Sequence, residues 1–429
     1  MKKTRMRAKI DAATYLKYGC FHHMADTSLL LNSLIATTLN LELLSFRNII
    51  KKIITGGLIM EAWRHFQFDD LVPFVSALDS ITQGKNEDVK KLLTETLVQS
   101  EDPYIKNESV VLLFELLFNG RDFETLQTLD LLDHPAIDLT NRSIAKTLQK
   151  QPAPSFFFPD EKVSVPMKMS QSGSPTIEVI LNGTKVTLWL DTGAGMSVLS
   201  RSLAQLCQVP TLDIEALNVK NSSNQSVSSQ LAIVDSLNIK GVHVKHQPTL
   251  LLQDQLLQFE IPKTSEVMKI DGIIGWDVIQ HLHLEIDYKN RSVCIQKSDP
   301  KDLPANLFFC GAPVVKASSE QETPLYFGLD TGAGKSHFSP PLLSKLPTTQ
   351  LSKKTVHAGG VGDMKEREVQ RLKQLDILLA STPIRLFDVR EALADFATFF
   401  KLDGVLGSDS ASAGKLIIDY PNRRVDILY

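Results

Sequence analysis

Cysteine is scarce in this 429-residue sequence. The four cysteines lie far apart, without a CxxC pair or the Cys/His spacing of a zinc site: Cys20, Cys207, Cys294 and Cys310. This distribution argues against a disulfide framework and a structural zinc site, and it predicts small buried cysteine side chains. We expect no metal and no cofactor.

An excess of charge of one sign is also missing. Lys and Arg number 46 against 49 Asp and Glu, which gives a formal net charge of -3. Proteins that bind nucleic acid through electrostatics concentrate positive charge. The balance therefore predicts no nucleic-acid partner.

Long hydrophobic runs are absent as well. The longest uncharged stretch, Thr27 to Asn40, is too short and too rich in Thr and Asn to span a bilayer. The N-terminus is basic, but no apolar core of a signal peptide and no small-residue cleavage site follow it. We expect no membrane span and a cytoplasmic location, with an exported form as the alternative.

The first third of the chain has helical periodicity. The length of the whole chain predicts two or three domains. Between about residues 8 and 150, apolar residues recur every three or four positions, as in Val89, Leu92, Leu93 and Leu97. This predicts an all-α domain over residues 1–150. Paired helices are one arrangement and a solenoid of helical repeats is the other. A protein partner could bind through this domain.

Residues 151–175 change in composition. Proline and serine become frequent, which is typical of a linker that leads into a first, edge strand. The run Phe156-Phe157-Phe158 is too apolar to be left in solvent, so we expect it to dock one domain on the other.

Strand-type alternation begins at residue 176. Thr176 to Leu181 and Thr184 to Leu190 flank Asn182-Gly183, which predicts a β-hairpin. The second strand runs directly into Asp191. Further strands follow, so the part of the chain after the linker is predicted to be all-β.

Two motifs of this β region occur twice. The sequence DTGAG stands at Asp191–Gly195 and again at Asp330–Gly334, each time after an apolar strand; DGIIG at Asp271–Gly275 returns as DGVLG at Asp403–Gly407. From the first glycine of each later motif to a tyrosine there are 16 residues in both copies. This predicts two homologous lobes, residues 176–300 and 301–429, related like the subunits of a C2 dimer.

A pseudo-twofold axis would place Asp191 opposite Asp330. Two carboxyl groups a few ångströms apart share one proton, because both cannot ionise cheaply. One carboxyl can then act as a base towards water and the other as an acid towards a carbonyl oxygen, and these roles belong to the pair.

The paired motifs resemble those of aspartic peptidases of the retropepsin type, in a tandem single-chain form like that of bacterial retropepsin-like proteins. The resemblance covers residues 175 to 429 and implies a bilobal acid-protease fold, a peptide or protein substrate, and an active site that one chain completes. It implies these roles: catalytic Asp191 and Asp330, crossed hydrogen bonds from Thr192 and Thr331, and tight backbone passage at Gly193 and Gly332.

The same resemblance implies the substrate-binding residues. They are Gly195 and Met196 in the first lobe, Gly334 and Lys335 in the second, and flaps at residues 219–226 and 357–362, the latter with Gly359 and Gly360. Because Met196 and Lys335 differ, we expect an asymmetric cleft, with an apolar subsite beside Met196 and a preference for an acidic side chain near Lys335.

Two further expectations concern side chains around the dyad. Ala194 and Ala333 stand where pepsin-type lobes often have a hydroxyl residue, which predicts a less acidic dyad and activity at mildly acidic to neutral pH. Asp277 and Asp409 each follow a glycine by two positions, and we interpret them as caps of the next short helix.

The function predicted from the sequence is an aspartic endopeptidase. The alternative is a catalytically silent peptide-binding or adaptor protein that keeps the two-lobed cleft. Both aspartates and both Thr-Gly pairs are intact, which favours the enzyme, although a fold does not by itself deliver an activity.

Overall fold

The structure is a computed structural model that describes residues 72–214, 217–220, 226–260, 267–346, 351–360, 363–392 and 399–429. The predictions for residues 1–71, including Cys20 and the first half of the helical domain, lie outside these residues. So do flap residues 221–225 and 361–362.

The chain from residue 72 to 148 is helical, as predicted. Its helices are α1 (Val72–Thr82), α2 (Asn86–Gln99), α3 (Pro103–Asn119), α4 (Phe123–Thr128) and α5 (Leu139–Leu148), with a 3-10 turn at Leu131–Asp133. The start of α3 follows from its sequence: Asp102 Oδ1 accepts from the amide of Tyr104 at 2.8 Å, and Pro103 occupies the first turn, where its missing N–H costs nothing.

The remainder is built of strands, which confirms the predicted fold class. The elements up to residue 296 are β1 (Ser155–Phe157), β2 (Val163–Met169), β3 (Pro175–Leu181), β4 (Thr184–Leu190), β5 (Val198–Ser200), α6 (Arg201–Leu206), β6 (Leu217–Lys220), β7 (Ser226–Ile239), β8 (Val242–Leu252), a 3-10 turn (Asp254–Leu257), β9 (Gln258–Glu260), β10 (Val267–Lys269), β11 (Gly272–Ile274), α7 (Trp276–Ile279), β12 (His283–Asp287) and β13 (Ser292–Gln296).

The second lobe has the same plan. Its elements are β14 (Leu307–Phe309), β15 (Pro313–Ser318), β16 (Pro324–Leu329), β17 (His337–Phe338), α8 (Pro340–Leu343), β18 (Leu351–Gly360), β19 (Asp363–Leu379), β20 (Thr382–Glu391), β21 (Gly404–Leu406), β22 (Lys415–Asp419) and β23 (Arg424–Leu428), with 3-10 turns at Ser408–Ala411 and Tyr420–Asn422.

The predicted hairpin is present between β3 and β4. The strands pair antiparallel, with Val179 opposite Val186, and the turn residues Asn182 and Gly183 have φ values of 45° and 83°. These left-handed conformations are those that a two-residue hairpin turn requires. The hairpin delivers Asp191 to the end of a buried strand.

Each lobe inserts one short strand between two others. In the first lobe, β11 pairs parallel with β4 and antiparallel with β5, so that Ile274 lies beside Leu190. In the second, β21 pairs parallel with β16 and antiparallel with β17, so that Leu406 lies beside Leu329. The duplicated motifs therefore occupy equivalent places in two equivalent lobes.

The ends of the lobes pair with each other. Strand β12 runs antiparallel to β22, with His283 opposite Asp419, Asp287 opposite Lys415 and Glu285 opposite Ile417. The strands β12 and β22 are equivalent in the sequence repeat. Their register places a twofold axis at the middle pair, Glu285 and Ile417. An antiparallel pairing of equivalent strands is the isologous contact of a C2 dimer, made within one chain.

The segment 151–175, predicted as a linker, contains strands. Residues of β2 pair with both β13 and β3, and alternate side chains such as Val165 and Met167 are buried. The ring of Phe156 lies 4.3 Å from that of His281. This segment is thus part of the sheet that joins the lobes, while the domain boundaries themselves stay predictions.

The helical region packs against both lobes. Leu113 and Phe114 of α3 share an apolar cluster with Phe308 and Phe400 of the second lobe. A separate cluster joins α5 to the first lobe; its members include Ile144, Leu148, Trp189 and Ile273. Within the part of the chain that the structure describes, no helix is long and apolar enough to cross a membrane.

Candidate active site

The two DTGAG loops are held by the inserted strands. The amide of Asp191 donates to the carbonyl of Ile274 at 3.1 Å, and the amide of Asp330 donates to the carbonyl of Leu406 at 3.0 Å. Each aspartate is therefore anchored at the end of one strand by the strand that lies beside it. We call Asp191–Gly195 the first loop and Asp330–Gly334 the second loop.

The structure brings Asp191 and Asp330 together. Their carboxyl groups are hydrogen-bonded to each other. A β-carbon on Gly193 would lie 2.6 Å from Cγ of Asp330, and a β-carbon on Gly332 would overlap the carboxyl of Asp191. Each loop thus lies against the aspartate of the other, and only glycine leaves room for it.

Crossed hydrogen bonds join the loops underneath the carboxyl groups. The amide of Thr192 donates to Oγ1 of Thr331 at 3.1 Å, and the amide of Thr331 donates to Oγ1 of Thr192 at 3.0 Å. Each hydroxyl then donates to the far lobe, Thr192 to the carbonyl of Leu329 and Thr331 to that of Leu190, both at 2.8 Å. This is the arrangement that the family resemblance implies for the two threonines.

Main-chain amides also orient the carboxyl groups. Oδ1 of Asp191 accepts from the amides of Gly193 at 2.9 Å and Ala194 at 3.2 Å, while Oδ1 of Asp330 accepts from the amide of Ala333 at 3.0 Å. These bonds fix one oxygen of each carboxyl within its own loop.

The dyad is built to retain a proton. Burial raises the pKa of Asp191, and burial together with the charge of Asp191 raises the pKa of Asp330 well above its ordinary value of 3.8. Because the two groups titrate as a pair, they lose one proton readily and the second with difficulty. A singly protonated pair has both an acid and a base available.

Asp277 supports the first loop from behind. Its Oδ1 accepts from the amide of Ser197 at 3.0 Å and from the Ser197 hydroxyl at 2.8 Å, and that hydroxyl accepts from the amide of Gly275 at 3.0 Å. The side chain therefore ties Ser197, two residues after the first loop, to Gly275, directly after the inserted strand β11.

The second lobe repeats this arrangement with Asp409, Ser336 and Gly407. The amide and the hydroxyl of Ser336 donate to Oδ1 of Asp409 at 2.8 Å and 2.6 Å, and the same hydroxyl accepts from the amide of Gly407 at 3.0 Å. The interpretation of both aspartates as helix caps is wrong: Asp277 lies inside α7 and Asp409 inside the 3-10 turn at Ser408–Ala411, and neither helix has a side-chain cap bond. The carboxylates accept from the serine pairs instead, which the spacing along the chain could not indicate.

The turn between β2 and β3 is a part of the site that the sequence did not reveal. The Ser174 hydroxyl donates to the carbonyl of Gly332 at 2.6 Å, and the carbonyl oxygen of Ser172 lies so close to Gly334 that a β-carbon there would overlap it. Gly195 has no atom of another segment within 4 Å of the corresponding position. The turn thus covers the second loop and leaves the first loop open.

The predicted subsite residues are placed differently in the two lobes. Met196 is half-buried and packs against the apolar cluster that holds Trp189. Lys335 is exposed, and its Nζ lies 3.7 Å from Oδ2 of Asp409. Gly359 and Gly360 are the last residues of β18 and lie opposite Met364 and Asp363 of β19. A contact of these residues with substrate stays a prediction.

Part of the chain is similar to known proteins. The family model of the aspartyl proteases matches residues 177–278. A retropepsin-like aspartic protease from Rickettsia conorii matches at 15% identity over 34% of this chain and 94% of its own, with a TM-score of 0.22. An aspartic proteinase from Irpex lacteus matches at 12% identity over 62% and 96%, with a TM-score of 0.38. No curated protein matches the sequence.

Because both TM-scores are low, the assignment rests on the family match and on the geometry of the two loops. The matched residues contain the first loop and the inserted strand β11, and the second lobe repeats both features. The chain is therefore a helical segment joined to a two-lobed, retropepsin-like aspartic peptidase fold, whose first lobe matches the aspartyl protease family.

Proposed function

We propose that this protein is an aspartic endopeptidase that hydrolyses peptide bonds with Asp191 and Asp330. The observation that supports this most strongly is the hydrogen-bonded pair of carboxyl groups, held together by the crossed bonds of Thr192 and Thr331. A non-catalytic peptide-binding protein would need the cleft, but it would not need two carboxyl groups that share a proton.

The first step is the addition of water to the peptide carbonyl. The ionised carboxyl of the pair takes one proton from a water bound between the two groups, while the protonated carboxyl gives its proton to the carbonyl oxygen. The oxygen of the water forms the new bond to carbon, and a tetrahedral diol results. The dyad has then exchanged its proton between its two members and keeps its total charge.

The second step breaks the carbon–nitrogen bond. The carboxyl that received the proton of the water passes it to the amide nitrogen, which leaves as an amine, and the other carboxyl takes a proton from the diol as the carboxylic acid forms. No bond between protein and substrate is made. The crossed hydrogen bonds hold both carboxyl groups in one geometry throughout, which is the contribution that positioning makes to the rate.

The substrate would be a peptide segment lying between the lobes. Its recognition is proposed to be asymmetric, because Met196 offers an apolar surface and Lys335 a positive charge at equivalent places. Lys335 already lies near Asp409, so an acidic substrate side chain would compete with that carboxylate for its ammonium group. The interaction is at the surface, where an ion pair contributes roughly 1 kcal/mol or less.

Cleavage profiling tests this proposal. A library of proteome-derived peptides is incubated with the wild type, with and without a peptide that carries a hydroxyl group in place of the scissile bond. We expect cleavage that this transition-state mimic suppresses, and a weaker preference for acidic residues in Lys335→Met. Retention of peptides without any cleavage would instead support the silent binding protein.

A further inference from the structure

The corner between α3 and α4, residues 118–123, meets the first lobe just behind the first loop. Nδ2 of Asn119 donates to Oε1 of Gln280 at 2.8 Å, and Gln280 is buried directly after α7. Phe118 and Phe123 pack against the same apolar cluster as Met196. The helical region is thus docked on the short helix that carries Asp277.

Arg121 lies at the tip of this corner in an uncommon backbone conformation. Its φ is 55°, whereas the preceding Gly120, which could adopt a positive φ without strain, has -77°. A non-glycine residue in the left-handed region is destabilising, so contacts of the surrounding structure must hold it there. Arg121 is half-buried.

The charge of Arg121 acts on α7. The pKa of Asp277 is raised to about 6, because burial outweighs the opposing charge of the Arg121 guanidinium and the hydrogen bonds from Ser197. The pKa of His281, one turn later, falls to about 4 through burial and through the same guanidinium. The hydrogen bond from Asn119, two residues before Arg121, to Gln280, three residues after Asp277, places this corner of the helical region next to α7.

Asp277 needs a positive charge nearby because its carboxylate is buried. It is 5% exposed, and its two oxygens accept from Ser197 and, at 2.6 Å, from Nε2 of Gln247. These partners are neutral. A buried carboxylate without a cation is costly even when it is hydrogen-bonded.

In the second lobe, the positive charge near the equivalent carboxylate comes from a residue of the same lobe. Asp409 is equivalent to Asp277, and its cation is Lys335, 3.7 Å away. The first-lobe residue at the position of Lys335 is Met196, five residues after the aspartate in both loops. The first lobe therefore lacks, at this position, the cation that the second lobe supplies for itself.

We propose that Arg121 is a positioning residue of the active site, through which the helical region supplies to Asp277 the positive charge that Lys335 supplies to Asp409. The ionised Asp277 holds the amide and hydroxyl of Ser197, and Ser197 holds Gly275, so that both strands behind Asp191 keep their places. The helical region is on this account a component of the peptidase and completes its first loop. The effect on turnover rests on the proposed function.

Charge replacement tests this inference. Arg121→Met removes the cation, and we expect the first loop to loosen and kcat to fall at least about fivefold, the lower limit of a typical coupling between sites. Met196→Lys places a lysine where the second lobe has one. In the double variant we expect most of the lost kcat to return, and Arg121→Lys should retain most of it without any second change.

A readout that does not depend on cleavage separates the two proposals. Hydrogen exchange of the peptide spanning the first loop, measured in the Asp191→Asn background, should quicken with Arg121→Met and slow again with Met196→Lys. If this pattern appears but the wild type cleaves nothing, the proposed function fails and the positioning role stands.

Three results would overturn the positioning role. One is unchanged exchange and turnover in Arg121→Met. The second is a loss that Arg121→Lys shares in full and that Met196→Lys does not repair, which would assign Arg121 to packing and not to its charge. The third applies if Arg121→Met does not fold: Met196→Lys must then restore folding in the double variant, and failure to do so contradicts the inference. Lys335→Met is the matched change at the equivalent position of the second lobe.

Discussion

The amide of Thr192 donates to the hydroxyl of Thr331 at 3.1 Å, and the amide of Thr331 donates to the hydroxyl of Thr192 at 3.0 Å. Both threonines are essentially inaccessible to solvent, at 0% and 1% exposure. Neither loop can therefore satisfy its buried amide without the other lobe. The two carboxyl groups meet because the chain folds as one two-lobed unit.

Loss of either hydroxyl should destabilise the protein to a similar extent. Thr192→Ala and Thr331→Ala each leave a buried amide without its acceptor, which costs about 1–3 kcal/mol. Thr→Ser at the same positions keeps the hydroxyl and is the matched control. Chemical unfolding measures the difference, and an alanine variant as stable as its serine counterpart would show that the crossed bonds contribute nothing.

The glycines after the threonines should not accept a side chain. In Gly193→Ala the new β-carbon meets Cγ of Asp330 at 2.6 Å, so either the loop or the carboxyl must move. We expect a lower melting temperature and a dyad that no longer shares its proton. Gly195→Ala is the control for stability, because no atom of another segment lies within 4 Å of its β-carbon. Equal melting temperatures for the two variants would contradict this geometry.

The raised pKa of Asp330 gives a pH dependence with a definite sign. The folded protein holds a proton that the unfolded chain releases near 3.8, so the free energy of unfolding falls as the pH rises above that value and through the raised pKa. Asp330→Asn removes the titrating group and should flatten this fall. Thermal unfolding measures the effect. It is followed between about pH 4, near the ordinary carboxyl pKa, and about pH 8, well above it.

The control for this comparison is Asp235→Asn, an exposed aspartate of the first lobe. It should keep the pH dependence of the wild type. A slope in Asp330→Asn as steep as in these two proteins would mean that the dyad does not retain its proton on folding.

Asp419, at the junction of the lobes, should act in the opposite direction. Burial raises its pKa, but hydrogen bonds from His283 at 3.0 Å, Ser298 at 2.6 Å and Asn422 at 2.8 Å outweigh it and bring the pKa to about 2. The stabilisation is present above the ordinary value of 3.8 and is lost as the pH falls through about 2. It amounts to about 2 kcal/mol.

Asp419→Asn tests this contribution. The variant should be less stable than the wild type at neutral pH, and the difference should shrink on acidification. A difference that is constant from neutral to acidic pH would show that the ionisation of Asp419 does not stabilise the contact between β12 and β22.

Much of the fold could be predicted because it follows from local patterns in the sequence. Alternation and Asn182-Gly183 predict the first hairpin, and the ungapped repeat that ends at Tyr288 and Tyr420 predicts two equivalent lobes. Their equivalence in turn predicts that Asp191 and Asp330 meet. Such signals need only short stretches of sequence and one symmetry argument.

The remainder depends on contacts between distant segments. Nothing near Ser174 in the sequence indicates that its hydroxyl reaches Gly332, because that bond joins residues 158 positions apart. The spacing of Asp277 suggests a local helix cap, whereas its serine partner lies 80 positions away. The docking of residues 118–123 likewise depends on the assembled surface of the first lobe.

The most direct test of the account is cleavage of one peptide substrate by the wild type, Asp191→Asn, Asp330→Asn and the control Asp235→Asn, with equal folding checked by circular dichroism. We predict that the wild type and the control cleave at the same rate, while each dyad variant loses about 1,000-fold or more, as expected when a group that acts as part of a unit is removed. Cleavage at the wild-type rate by either dyad variant would contradict the assignment of catalysis to the pair.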